Sequence, residues 1–413
     1  MKFLHTSDWH LGKTLYGFKR YSEFQRFLDW LLKILDKEEI DVLLVAGDIF
    51  DTTNPSHQAQ GLYYQFLSQI SQTCCQHVII IAGNHDSPSL LNAPKELLKF
   101  LSIHVVSYSE LDRRQHLIPI VDQRTKETKA IVCAVPYLRD QEIRVGELGE
   151  SLSDKEINRV KAITQYYQDL ADLAKEEASK IGHVPIIAMG HLFTVGGKVA
   201  EGDGVRELYV GSMGAIKSHV FSENFDYVAL GHLHVPQKVD KKDHVRYSGS
   251  PLPIGFHEAC QPKQALCIEF FPQDSENSFH VKVDEIFIPC FQILKKISGN
   301  ESELLDEIDL LKKLDQSVWL EIEYTGKQEI KNLRQNLAAA VNESKLQICC
   351  IKNSFFKTAL IEDSCSSHLL ENLDSEEIFL KCLDVNKVQS EEDRVGLLQS
   401  YQEIIFELEQ EDH

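Results

Sequence analysis

Eight polar residues stand where apolar runs stop. Asp8 and His10 follow "KFLHTS", Asp48 follows "DVLLVAG", and Asn84 and His85 follow "HVIIIAG". His191 follows "VPIIAMG", while His232 and His234 close "DYVALGHLH". Two divalent cations held close together need a carboxylate between them to screen their repulsion. They also need neutral nitrogen and oxygen donors, with positions left for water and substrate. This set supplies those parts: two carboxylates, an amide carbonyl and several imidazoles. A single histidine at a strand end is ordinarily structural; five polar strand ends in one chain argue for a shared centre. The later groups follow Gly47, Gly83, Gly190 and Gly231, and glycine lets the backbone turn tightly and approach a ligand. Asp86, in "DSPSLLNAPKELLKFL", reads instead as a helix entry.

These residues must be carried on short buried strands, and the β-branched runs "KFLHT", "DVLLVA", "HVIII", "AIVCA", "VPIIAM" and "DYVAL" are of that kind. Between the first two, Phe24, Phe27, Leu28, Leu31 and Leu35 form one helical face. Leu62, Phe66 and Ile70 mark a second helix, and Ile157, Val160, Tyr167, Leu170 and Ala174 a third. The alternation predicts an α/β layered domain over residues 1–285, with a site assembled in the loops after the strand C-termini. Beyond it the pattern predicts a small strand-helix-strand-helix-strand α+β domain over 286–358. A linker and short helices follow over 359–413, the last helix with Leu398, Tyr401, Ile405 and Leu408 on one stripe.

In the order "DWH", "GDIFD", "GNHD", "GH" and "GHLH", residues 8–234 resemble the signature of the calcineurin-like metallophosphoesterase superfamily. "HTSDWHLGKTLYG", "FDYVALGHLHVPQ" and "YSGSPLPIGFHE" are similar to its Mre-type DNA-repair nucleases in their bacterial form, closely over residues 1–290 and loosely beyond. The resemblance implies a layered sandwich of two central sheets flanked by helices, with two Mn²⁺ ions; the ligand types also admit Mg²⁺ or another divalent metal. It implies that Asp8, His10, Asp48 and His234 hold one ion and that Asp48, Asn84, His191 and His232 hold the other, Asp48 bridging. His85, beside a ligand, becomes the candidate proton donor to the leaving oxygen. Archaeal and eukaryotic relatives carry a histidine at the third residue after the bridging aspartate. Here it is Asp51, as in related phosphatases, which implies a carboxylate that orients His85 and supports its protonated form. His57 reads as a surface residue.

The same resemblance implies endonuclease action on single strands without ATP. With an SMC-like coiled-coil ATPase partner it implies ATP-dependent double-strand exonuclease activity and hairpin opening, in DNA repair, replication and recombination. It implies a homodimer joined by two copies of the ATPase, with residues 286–358 capping the nuclease site and the final helices docking on the partner's coiled coil. The chain itself has no GxxxxGK[ST] loop, so ATP is expected to come with the partner and no nucleotide to be bound here.

Composition fits an ordinary globular chain, 43% apolar and 26% charged. The net charge of −20 is unusual for a nucleic-acid binder, but about 25 acidic and about 11 basic residues lie from Glu301 onward, roughly −14 of that total. Lys13, Lys19 and Arg20, after the first motif, are candidates for touching a DNA backbone. The ten cysteines show no CxxC or zinc-finger spacing and read as reduced, mostly buried thiols. No run approaches a membrane span and the N-terminus does not read as a signal peptide, so a cytoplasmic protein is expected. The competing enzymatic reading is a metallophosphoesterase acting on a phosphoprotein or a cyclic nucleotide. The long chain after the metal motifs argues against it.

Overall fold

The computed structural model describes residues 1–110, 112–144, 150–194, 216, 219–222, 224–273, 278–326 and 332–353, with 379, 380, 383, 394, 397, 398 and 401 near the end. Two compact units divide the chain, Met1–Leu294 and Lys295–His413. The first opens with β1 (Lys2–Thr6), a hairpin of β2 (Thr14–Leu15) and β3 (Phe18–Lys19), α1 (Tyr21–Lys37), β4 (Val42–Ala46), α2 (His57–Ile70) and β5 (His77–Ile81). Next come α3 (Pro88–Asn92), α4 (Lys95–Lys99), β6 (Ile103–Val106), β7 (Leu117–Val121), β8 (Thr128–Ala134), α5 (Asp140–Ile143), α6 (Leu152–Ile181) and β9 (Ile186–His191). The unit closes with α7 (His219–Ser222), β10 (Tyr227–Gly231), β11 (Gln237–Lys238), β12 (Val245–Tyr247), β13 (Gln264–Pro272) and β14 (Phe279–Phe287).

Two six-stranded sheets result, ordered β14-β13-β1-β4-β5-β6 and β11-β12-β10-β9-β8-β7. In the first sheet β1, β4, β5 and β6 run parallel and β13 and β14 pair antiparallel at one side; in the second β12, β10, β9 and β8 run parallel and β11 and β7 flank them antiparallel. Alternation along β4 shows how the layers form. Val42, Leu44 and Ala46 face Ile187, Met189 and Ala229 in a core between the sheets, while Leu43 and Val45 face the helices. Both faces are thus covered, and a strand buried on both sides reads as an unbroken apolar run. The predicted face of α1 is buried, and α2 packs beside it through Leu62, Phe66 and Ile70. On the other side Tyr167, Leu170 and Ala174 of α6 cover the second sheet. A Ser151–Asp154 capping box starts α6 and Gly182, at φ 94°, ends it.

The first unit extends past the expected limit at residue 285. β14 pairs with β13 from Gln264↔Phe287 to Pro272↔Phe279, and the Ile288 amide donates to the Lys263 carbonyl. All but the first two residues of a three-stranded sheet of β15 (Ile293–Gly299), β16 (Val318–Tyr324) and β17 (Leu346–Asn353) lie in the second unit, with α8 (Glu301–Lys312) and α9 (Leu333–Val341). Leu304 and Ile308 of α8 and Leu337 of α9 are buried there. The linker expected at 359–368, and Ile405 and Leu408, lie outside the described residues. Tyr401 stacks on Phe379 with ring centroids 4.3 Å apart. The described cysteines form no disulfide; Cys133 and Cys267 are buried, but Cys260 and Cys290 are exposed, so burial is less general than expected. Among the described residues no helix is long and apolar enough to cross a membrane.

Asp86 fastens two of the strand-end loops. Its fully buried carboxylate accepts hydrogen bonds from the amides of Ile49 (3.1 Å), Phe50 (2.9 Å) and Gly83 (2.8 Å). The helix-entry role predicted for it belongs to Ser87, whose hydroxyl accepts from the Leu90 amide. Burial and the neighbouring Asp48 carboxylate push Asp86 up to about 6, against the pull of those three amides. Asp86→Ala strands three buried donors, each costing about 1–3 kcal/mol. A destabilisation of roughly 3–5 kcal/mol in urea melts is expected; a loss below about 1 kcal/mol would refute this role.

Candidate metal centre

The loops that follow β1, β4, β5, β9 and β10 meet at one edge of the sandwich. Asp8, His10 and Asp48 take left-handed backbone conformations at φ 53°, 48° and 51°, and His232 sits at φ 106°. Non-glycine residues held there cost on the order of 1–3 kcal/mol each and gather at functional sites. Main-chain bonds hold them: the amides of Asp8, His10 and Leu11 donate to the carbonyls of Gly47, Asp48 and Ile49 at 3.0, 3.0 and 2.9 Å. Glycine is required for clearance. A Cβ at Gly83 would strike the Asp48 carboxylate, and one at Gly231 would strike the Ala46 carbonyl. Gly83 needs no positive φ, so its part is to let one loop touch another rather than to turn the chain.

Asp48 is the hub. Its Oδ2 lies 3.2 Å from His191 Nε2 and 3.6 Å from His10 Nε2, while its Oδ1 accepts from the His85 amide at 2.9 Å. On one side His10 Nε2 lies 3.2 Å from His234 Nε2, and ligand atoms of Asp8, His10 and His234 fall within 4.8 Å of one another. On the other, Asn84 Oδ1 is 3.0 Å from both His191 Nε2 and His232 Nδ1. Asp8 Oδ1 accepts from the His232 amide at 2.9 Å, joining the first and last loops. All seven predicted ligands therefore lie in one cluster.

The electrostatics suit cations. Burial raises the Asp8 carboxyl, with the imidazoles of His191 and His234 opposing. Burial would raise Asp48 too, but His191 and His10 hold it well below the usual carboxylate range. Burial depresses His10 and takes His232 down to about 3, which favours the neutral imidazole with a lone pair to offer. His191 runs the other way: against burial, the Asp48 and Asp8 carboxylates push it up to about 9. A proton there does part of the work of a positive ion, and a cation taking His191 would displace it. Two buried carboxylates facing imidazoles, with two ring nitrogens 3.2 Å apart, form an oxygen-nitrogen donor set that fits divalent metals.

The predicted catalytic pair is arranged differently from expectation. His85 Nδ1 meets the main-chain carbonyl of Asp51 at 2.9 Å. The Asp51 carboxylate turns to His10 Nδ1 (3.3 Å) and Lys13 Nζ (3.0 Å), and despite burial these hold it at about 2. Asp51 thus positions His85 through its backbone and a histidine of the cluster through its side chain. Arg20 is also redirected: it is buried, bonded to both Glu23 oxygens and to the Pro253 carbonyl, and so is no DNA contact. Lys13 is committed to Asp51, whereas Lys19 is exposed, as is His57. Sequence reading misses Tyr137, whose ring centre lies 6.4 Å from that of His191, and "YLRD" carries no signal that would reveal it.

Comparison with known proteins agrees with this geometry. The calcineurin-like phosphoesterase family matches residues 1–236, and the type 5 capsule protein repressor C-terminal domain matches residues 290–386. The SbcD subunit of the SbcCD nuclease of Escherichia coli (strain K12) is 32% identical over 399 residues, covering 96% of each chain. That of Bacillus subtilis (strain 168) is 32% identical over 330 residues, 78% of each chain. That of Rhodobacter capsulatus is 38% identical over 265 residues, 62% of this chain and 64% of the relative. With donors that could hold metal ions gathered where the layers of the sandwich meet, this chain belongs to the calcineurin-like phosphoesterases and, among them, to the family of the SbcD nuclease subunits.

Proposed function

We propose that the chain is a manganese-dependent nuclease subunit that hydrolyses DNA phosphodiesters at the Asp48 cluster. The observation that carries this reading is the Asp48 carboxylate standing between two groups of donors, one with Asp8, His10 and His234 and the other with Asn84, His191 and His232. Mixed oxygen and imidazole donors suit Mn²⁺. Two bound cations supply Lewis acidity and an activated water. The chain's own part is to hold the cations and to deliver a proton. With Nδ1–H donated to the Asp51 carbonyl, His85 leaves Nε2 to face substrate, and in the imidazolium form that nitrogen protonates the leaving oxygen.

Alone, the chain cuts single strands. With an SbcC-type SMC-like ATPase it degrades duplex ends and opens hairpins, in a heterotetramer of two copies of each subunit. Leu97, Phe100 and Leu101, at and just beyond α4, are 69%, 88% and 46% exposed, an apolar surface that a second copy would cover. The final segment, with Leu398 and Tyr401, docks on the ATPase coiled coil.

His85→Asn is expected to lower Mn²⁺-dependent cleavage of a DNA hairpin by about 10²–10⁴-fold with cation binding intact; near-native turnover would refute the proton-donor role. In Asp48→Asn, calorimetry should find the two-cation binding lost, and undiminished occupancy would remove the bridging role. Activity on p-nitrophenyl phosphate or cyclic nucleotides without any on DNA would favour the competing phosphoesterase reading. Assembly is tested by sizing and co-purification. Phe100→Asp should give monomers, and removing residues 366–413 should abolish SbcC capture while single-strand cleavage persists; an unchanged dimer or retained capture would count against the respective contact.

A further inference from the structure

The segment "YSGSPLPIGFHE" supplies no ligand to the cluster, yet it ends against one. Glu258 is fully buried with Lys263 beside it. Lys263 Nζ donates to Glu258 Oε2, to Ser250 Oγ at 3.0 Å and to the main-chain carbonyl of His234 at 3.1 Å. The Ser250 amide donates to that same carbonyl at 3.1 Å, and a Cβ at Gly249 would lie 2.7 Å from it. The Ile254 amide donates to Glu258 Oε2 at 3.1 Å, while the buried Arg20 holds the Pro253 carbonyl at 2.6 Å. Glu258 Oε1 faces two imidazoles, 3.3 Å from His257 Nε2 and 3.8 Å from His234 Nδ1. The other nitrogen of His234, Nε2, is turned toward His10 and the donor cluster.

We propose that Glu258, locked by Lys263, is a positioning residue for His234, its negative charge favouring the proton on Nδ1 and so leaving Nε2 as the nitrogen that offers a lone pair to a cation. The inference rests on the reading of His234 as a metal ligand. An imidazole ligates only through a nitrogen without a proton, and a carboxylate behind the opposite nitrogen holds the proton there. Glu258 acts on the residue twice, through its charge 3.8 Å from the ring, beyond hydrogen-bond length, and through Lys263, which with Ser250 holds the His234 carbonyl. A loop that only filled space would need neither a buried carboxylate aimed at this ring nor a buried ammonium on its main chain. Losing such an outer partner typically weakens metal binding about 10–100-fold.

Two measurements on the full chain test this. In the metal-free wild type labelled with ¹⁵N-histidine, with His234 assigned through His234→Gln, the His234 resonances should report the Nδ1–H tautomer; Nε2–H would overturn the proposal. In Mn²⁺ titrations, Glu258→Gln should weaken one of two equivalents by about 10–100-fold and leave the other unchanged. Equal affinities in variant and wild type, or equal losses at both equivalents, would overturn it. A wild type that binds no Mn²⁺ would overturn the metal centre itself and this proposal with it. If Glu258→Gln does not fold, the tautomer in the wild type decides.

Discussion

Everything at the active edge of this molecule follows from one buried carboxylate set between imidazoles. Asp48 is in contact with His191 on one side and His10 on the other, with little water to screen it. A charge in that position is tolerable only if positive charge meets it, as protons on imidazoles or as cations. To bring it there, loops from both sheets must approach within van der Waals contact. The glycines give them room, and left-handed residues bend the chain at Asp8, His10 and Asp48. Asp86 and the main-chain bonds between the first two loops offset part of that strain.

The two sheets contribute unlike chemistry to the cluster. The loops of the first carry both carboxylates, the amide and one imidazole; those of the second carry only imidazoles. In a metal-bound state the oxygen donors would fix where positive charge collects, and the nitrogens would complete the shells around it. His85 belongs to neither role. Its main chain donates to Asp48 while its ring is tied to the Asp51 carbonyl, so it is tethered to the cluster without spending its second nitrogen on it.

Much of this is legible in the sequence because buried parallel strands are monotonous. Against "DVLLVA" or "HVIII" a polar residue at the strand end stands out, and the order of those ends is the order of the loops. What escapes depends on partners distant in sequence or on the choice between main chain and side chain. Asp86 sits before Ser87 and Pro88, a context indistinguishable from helix entry, yet its partners are Ile49 and Phe50. Asp51 can be singled out as a neighbour of His85, but residue types cannot say that the contact is made by a carbonyl. Arg20 reads as a surface cation because its carbonyl partner, on Pro253, is far along the chain. The expected end of the first unit falls early because β14 alternates half-buried and exposed positions, a pattern that fits either unit.

The cluster also bears on how the fold holds together. Its donors come from both layers of the sandwich, which otherwise meet through aliphatic side chains such as Leu44, Ile79, Ile187 and Met189. A cation shared by the two sets of loops would be a cross-link between layers, present only in the folded state. Binding and folding then become one linked equilibrium, and the sandwich draws stability from the free concentration of its metal by mass action. The site would be a fastening for the architecture as well as a place where chemistry is done.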